Sequence, residues 1–332
     1  MLKVGLDNHS IDSVANGLCE TSLRGVDSHG IRLLPHYVNS AINGRKNSKP
    51  KFIFHQTFPS IGYLDADNGF GHAAGMKAID HCMEMAKEQG IGIVGVTNSS
   101  HPGAMASMAL KAANNGYIAF AFTHADSLLL SHGGKRPYFG TNPLCFAVPR
   151  KESDPYCLDM ATSMISWNKL LSYRSKNIPL ENNLAADKDG FNTNNANEAS
   201  SLLPAGSYKG YGLASMVEIL CGIYTGMNFG HDIASMYGSP INRPRKLGQL
   251  YMVMRVDGVI NEEDFLSRVQ KLSEEVRNEP SLSSQKVMMP NDPEIKVAKI
   301  RKKSGIPIDT ETLNELNKLS KKYSVILKVV NK

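Results

Sequence analysis

The chain lacks the features that would commit it to a membrane, a disulfide scaffold or a metal site. No apolar run approaches the roughly 18 residues that cross a bilayer, and residues 1–8 carry no signal-peptide apolar core. A soluble, cytoplasmic protein is therefore expected. Cys19, Cys82, Cys145, Cys157 and Cys221 are odd in number, widely spaced and without a CxxC pair, which predicts free thiols in a reducing compartment. None of the ten histidines belongs to an HExxH pair and no cysteine set has zinc spacing, so no metal site is expected. A GxSxG turn is also missing, which removes the usual serine-hydrolase elbow. The formal net charge is +6, yet the densest basic cluster, Lys296, Lys299, Arg301, Lys302 and Lys303, has no interleaved aromatics. That cluster reads as a solvated helix face, so no nucleic-acid partner is expected, and a small anionic ligand fits the charge equally well. What remains, 332 residues with 42% hydrophobic and 20% charged, suits a soluble enzyme with room for two packed units.

Ile11, Val14, Leu18 and Leu23 recur at helical spacing and predict an amphipathic helix over 11–23, followed by a second over 35–41 closed by Gly44 and a polar stretch through Lys51. Further on, strand patterns at 61–65, 91–96 and 117–123 alternate with helix patterns at 73–88 and 104–114. This β-α-β-α-β succession, taken by itself, suggests a parallel α/β unit whose strand ends present loops to a ligand. Short strands are expected at 144–149 and 156–160, a polar surface loop at 185–201, and an apolar buried helix at 210–226. The segments 262–278 and 309–322 read as amphipathic exterior helices. No repeat at solenoid spacing is present.

Two stretches place a histidine beside glycine and small hydroxyl residues: Arg24-Gly25-Val26-Asp27-Ser28-His29-Gly30 and Asn98-Ser99-Ser100-His101-Pro102-Gly103. Small neighbours let backbone and substrate approach an imidazole, the side chain best able to move a proton near neutral pH. Gly69-Phe70-Gly71-His72-Ala73-Ala74 matches the GxGxxA form of a dinucleotide turn. Such a turn wants an acidic residue after the following strand, and Thr97-Asn98 stands there instead, so a tight turn is the better reading. Three more small-residue stretches offer ligand-binding loops: 132–143, 159–163 and 203–212, with Lys209 just ahead of the apolar helix.

Taken together and in this order, RGVDSHG at 24–30, SHPGA at 100–104, FGTNP at 139–143, DMATS at 159–163 and LLPAGSYKGYGLA at 202–214 resemble the malate/L-lactate dehydrogenase family that is unrelated to Rossmann-type lactate dehydrogenases. The resemblance runs from about 4 to 326. It implies an α/β (α+β) fold with a non-Rossmann, mixed and largely antiparallel sheet in a cofactor-binding domain at 63–261, and a helical domain built from 1–62 and 262–332. It further implies hydride transfer between NAD, with NADP as the alternative, and a small 2-hydroxy or 2-oxo acid, malate or lactate first. A ureidoglycolate dehydrogenase-like activity and a non-catalytic nucleotide-binding homologue are the competing readings. A homodimer with its site near the subunit interface is implied as well.

Carried over position by position, the resemblance assigns proton exchange to His101, assisted by His29, with Asp126 orienting the histidine. Ser28, Tyr37 and Arg245 fall at substrate positions, Arg245 as a carboxylate clamp. Cofactor contacts map to Asp159, Met160, Ala161, Lys209, Asn291, Asp292 and Pro293. Three departures stand out: Leu33 occupies the position where many members have arginine, with Arg32 one residue early; Pro290-Asn291 replaces Pro-Gly; and Ala125 replaces a frequent hydroxyl.

Overall fold

The computed structural model describes residues 1–282 and 284–330. Helices α1 (Asn8–Leu23) and α2 (Leu34–Ile42) precede strands β1 (Ile53–Phe58) and β2 (Ile61–Asp65). Then come α3 (Gly71–Gln89), β3 (Ile91–Ser99), α4 (Ala106–Asn114), β4 (Tyr117–Thr123), β5 (Leu129–Leu130), β6 (Pro137–Phe139), β7 (Leu144–Val148), β8 (Tyr156–Met160) and α5 (Trp167–Ser175). After β9 (Ala185–Ala186), β10 (Ser201–Leu202) and α6 (Tyr208–Glu218), the chain makes a π-helical turn at Ile219–Ile223, forms β11 (Leu247–Arg255) and ends in α7 (Glu262–Arg277), α8 (Asp292–Ser304) and α9 (Thr310–Tyr323). The helix starts follow capping chemistry: the side chains of Asp7, Asn261 and Asp309 accept backbone N–H groups of α1, α7 and α9.

The main sheet has the order β1-β2-β3-β11-β4-β7-β8. Only β2 and β3 pair in parallel; every other neighbouring pair is antiparallel. This corrects the parallel unit suggested by the alternation of helices and strands. β3 and β4 are not neighbours, because β11, more than a hundred residues downstream, inserts antiparallel between them. Local periodicity cannot reveal such an insertion, since it reports which face of a strand is buried and not what lies beside it.

Side-chain alternation on β4 sorts the two faces. Ala119 and Ala121 join the core under α3 and α4, whose Ala78, Ala109 and Ala112 allow close approach. Phe122 points the other way, onto Val217 and Cys221 of the α6 segment. That helix is buried along one side only, because Leu213, Met216, Ile219, Ile223 and Tyr224 are exposed, which corrects the expectation of a wholly buried helix. The expected surface loop at 185–201 is also partly interior: Ala185, Ala196 and Ala199 pack with Leu170 and Leu202, beside a small sheet of order β6-β5-β10-β9.

The chain ends supply α1, α2, α7, α8 and α9. α1 packs on α3 and α8, and α2 on α9, while β1 from the N-terminal segment extends the main sheet. β11 passes tightly under the π-helical turn, where a Cβ on Gly248 would lie 1.8 Å from the Cys221 carbonyl oxygen. Backbone cannot yield there as a flexible side chain can. Gly248→Ala is therefore expected to destabilise the protein by about 3 kcal/mol in urea unfolding, whereas Gly258→Ala, whose Cβ would meet nothing nearer than 3.8 Å, should stay within about 0.5 kcal/mol. Equal midpoints for the two variants would contradict this packing.

Candidate active site

β3 ends at Ser99 and delivers Ser100 and His101 against the start of α3. The approach is close enough that a Cβ on Gly71 would lie 2.0 Å from the Ser100 carbonyl oxygen. Gly71 N–H donates to Ser100 Oγ at 3.0 Å, and Ser100 Oγ donates to the Gly69 carbonyl at 2.9 Å. The glycines of the dinucleotide-like turn thus serve backbone packing against the histidine loop. From β11, Gln249 Nε2 donates to Ser99 Oγ at 2.8 Å while its Oε1 accepts the Tyr251 hydroxyl at 2.6 Å. These buried, mutually satisfied groups fix the loop from below.

His101 and His29 come together as stacked rings, with centroids 5.6 Å apart and planes at 22°. Both line one large cleft. On the far side of His101, the Tyr37 hydroxyl lies 2.8 Å from Nδ1, and the Gly103 N–H donates to the same nitrogen at 3.3 Å. A nitrogen that accepts an amide N–H carries no proton of its own, so neutral His101 bears its proton on Nε2. Burial, reinforced by His29, Arg245, Lys46 and His72, holds the His101 imidazolium well below the usual histidine range. His29 is lowered to about 4 by burial and Arg32, and its Nδ1 lies 2.9 Å from Ser28 Oγ. The pair is therefore neutral at neutral pH.

Tyr37 does not face the cleft. It is fully buried and absent from the cleft lining, with its hydroxyl against the His101 imidazole. Asp126 likewise makes no hydrogen bond to either histidine. Its Oδ1 accepts from Arg245 Nη2, and its Oδ2 accepts the Met236 N–H at 3.2 Å. Arg245 also donates through Nε to the Ala234 carbonyl at 2.9 Å, which fixes its guanidinium at the cleft wall. Asp126 and Arg245 together tie down the loop that carries Ser235, Met236 and Tyr237 into the cleft. Arg45 clamps the same loop from behind, donating to the carbonyls of Met236, Ser239 and Pro240.

The cleft holds about 1480 Å³, room for a dinucleotide and a small acid side by side. Asp159, Met160 and Ala161 line it at the end of β8, with Asn291 and Pro293 across from them. The Ala106 N–H donates to Asp159 Oδ2 at 2.8 Å, and the surrounding protein raises this carboxyl to about 6. Asn291 explains the departure from Pro-Gly. Its φ of 83° is one that asparagine tolerates. Its side chain also accepts from Arg24 at 2.6 Å and donates to the Pro155 carbonyl at 2.6 Å, ties that glycine could not make. The donor and acceptor set and the volume fit a nicotinamide dinucleotide.

Two expected cofactor residues lie apart from the cleft. Lys209 is exposed on α6, and Asp292 forms a two-pronged ion pair with Arg277 at 2.7 and 2.8 Å. Leu33, at the expected arginine position, is buried among Leu6, Val14, Tyr37 and Phe70. Sequence reading missed Arg45 and Lys46, which are 1% and 3% exposed although they sit in a stretch that reads as polar linker. The one local signal is two adjacent cations directly after the glycine that ends α2. It also missed Gly71 as a packing position, because the dinucleotide pattern offered a different use for it.

The family model for malate/L-lactate dehydrogenase matches residues 1–317. Ureidoglycolate dehydrogenase (NAD(+)) of Escherichia coli (strain K12) is 32% identical over 276 residues, covering 83% of this chain and 79% of that protein. Malate dehydrogenase of Pyrococcus abyssi is 32% identical over 336 residues, covering 98% and 91%. Among solved structures, malate dehydrogenase from Entamoeba histolytica superposes with a TM-score of 0.92 at 29% identity, covering 99% of this chain and 95% of that one. With the sequence match and the fold in agreement, this chain belongs to the malate/L-lactate dehydrogenase family.

Proposed function

We propose that this NAD(P)-dependent 2-hydroxyacid dehydrogenase uses His101 to exchange a proton with the substrate oxygen, His29 to orient the substrate, and Arg245 to clamp its carboxylate. The observation that carries this reading is the stacked histidine pair facing the same cleft as the fixed guanidinium of Arg245. Planar guanidinium suits a carboxylate, and a neutral Nε2–H aimed into a cleft suits a carbonyl or alkoxide oxygen. Ser28 stands beside His29, and Asn168 steadies it by donating to the Ser28 carbonyl at 2.9 Å. Asp126 acts through Arg245 and the loop it anchors.

Asp159, Met160, Ala161, Asn291 and Pro293 would hold the cofactor, whose nicotinamide supplies or receives the hydride when bound. Malate or lactate is the substrate we favour. Ureidoglycolate is the second reading, supported by the relative that carries that name. The intact histidine pair argues against a non-catalytic homologue.

We also read the chain as a cytoplasmic homodimer. Free thiols fit a reducing compartment, and no described helix is long and apolar enough to cross a membrane. Leu213, Met216, Ile219 and Ile223 recur at helical spacing on the exposed side of α6 and its π-helical turn, a stripe suited to self-association. Lys209 stands at the head of that helix.

Three outcomes follow. NADH or NADPH oxidation should be detectable with at least one of oxaloacetate, pyruvate, oxalurate and sulfopyruvate, and His101→Ala should lower kcat by about 10² to 10⁴ while cofactor fluorescence titrates as in the wild type. Cofactor binding without turnover on any of these acids would favour the non-catalytic homologue. Arg245→Met should raise KM for the preferred acid by about 10²-fold, the scale expected for a charge-assisted carboxylate contact. Ile219→Asp should shift the sedimentation coefficient from dimer to monomer, and an unchanged value would remove α6 from the interface.

A further inference from the structure

The guanidinium of Arg245 is held between two loops. One carries Asp126, which accepts from Nη2, and the other carries Ala234, whose carbonyl accepts from Nε at 2.9 Å. Those bonds occupy the Nε–Nη2 edge and leave the Nη1–Nη2 edge as the one that can grip a carboxylate. Followed away from the cleft, both loops lead to one side chain, that of Glu218, the last residue of α6. Its Oε1 accepts the Gly230 N–H at 2.7 Å, and Gly230 opens the short turn that runs into Ile233 and Ala234. Its Oε2 accepts from Asn142 Nδ2 at 2.7 Å, while Asn142 Oδ1 accepts the N–H of Ala125, the residue before Asp126, at 3.1 Å. Asn142 is tied to α6 a second time, donating to the Ala214 carbonyl at 2.9 Å.

Glu218 is 2% exposed and Asn142 is fully buried, and neither belongs to the cleft lining. Burying a carboxylate is costly unless its oxygens are met by donors. Among the described residues its single ion-pair contact is His124 Nδ1, at 3.8 Å. His124 Nε2 accepts the Gly248 N–H at 2.9 Å, so the ring carries its proton on Nδ1, toward the carboxylate. Both oxygens therefore face donors. A glutamine there would set its own NH2 against either Gly230 N–H or Asn142 Nδ2, whichever way its amide is turned. The two loops meet at Arg245 on the cleft side and at Glu218 on the core side.

We propose that Glu218 sets the affinity for the acid substrate, by holding both loops that fix the Arg245 guanidinium. This rests on the reading of Arg245 as the carboxylate clamp. Glu218 and Asn142 are positioning residues, since each acts through Arg245. When either loop shifts, the guanidinium turns relative to the histidine pair and the acid binds less well. Once bound, it still meets His101 and the hydride.

The test is steady-state reduction by NADH of whichever acid the wild type reduces fastest, for wild type, Glu218→Gln, Asn142→Gly, Arg245→Met and the two double variants that combine Arg245→Met with each of the others. Asn142 has a φ of 28°, which glycine accommodates. Melting temperature and NADH fluorescence titration serve as controls for folding and for the cofactor site. Glu218→Gln should raise KM for the acid about 10-fold, with kcat and NADH affinity within about two-fold. Asn142→Gly cuts one limb and spares the Gly230 bond, so it should raise KM by about 3- to 10-fold, and it keeps the test open where Glu218→Gln does not fold. With Arg245 replaced by methionine, neither substitution should raise KM further, because there is no guanidinium left to orient. A folded single variant with wild-type KM, parallel losses in kcat and NADH affinity, or KM effects that multiply in the double variants would overturn the proposal. An Arg245→Met variant with wild-type KM would instead overturn the clamp reading, and a wild type that reduces none of the acids would overturn the dehydrogenase reading, each taking this inference with it.

Discussion

The geometry of the site depends on what happens at one atom, Nδ1 of His101. An amide N–H and a phenolic hydroxyl meet there, so the ring is held by its rear edge and presents its other nitrogen to the cleft. The amide belongs to Gly103, whose φ of 76° and close approach to His72 admit no side chain. The phenol belongs to α2, which the N-terminal segment contributes. The histidine loop hangs from β3, the central sheet steadies it through Gln249, and the chain end supplies the backing. The distant parts of the chain meet at this ring.

The surroundings keep the ring neutral. Arg45, Lys46 and Arg245 crowd the rear of the site, and Asp126 is the carboxylate directly paired with one of them. Burial is the main cause of the depressed histidines at 29, 36, 72 and 101; the neighbouring cations add to it, Lys46 at 36, 72 and 101, Arg245 at 36 and 101, and Arg32 at 29. The excess of positive charge also favours an anionic substrate, because a carboxylate entering the cleft supplies the charge that the protein withholds. Neutral imidazoles and fixed cations thus act in concert.

Much of this was legible in the sequence, and the exceptions have physical causes. The helices at 8–23, 71–89 and 262–277 and the strands at 91–99 and 117–123 follow local periodicity, so they were readable within a few residues. The position of β11 between β3 and β4 was not, because strand order is set by long-range pairing. His29, His101 and Asp159 stand in quoted motifs and Arg245 at a position the resemblance matched, and the fold brings all four to one cleft. Their pairings were less accessible. Asp126 could be recognised as an acid near the site, but only the fold shows that it holds Arg245 and not a histidine. Lys46 and Arg45 lie in a polar stretch, and hydropathy marks such residues as surface whatever cavity the fold places them in.

Nitrogen-15 NMR of histidine-labelled protein at neutral pH tests the central claim most directly, with a His101→Gln spectrum to assign the signal. The account predicts a neutral ring with its proton on Nε2 and none on Nδ1. A proton on Nδ1, or an imidazolium, would contradict it.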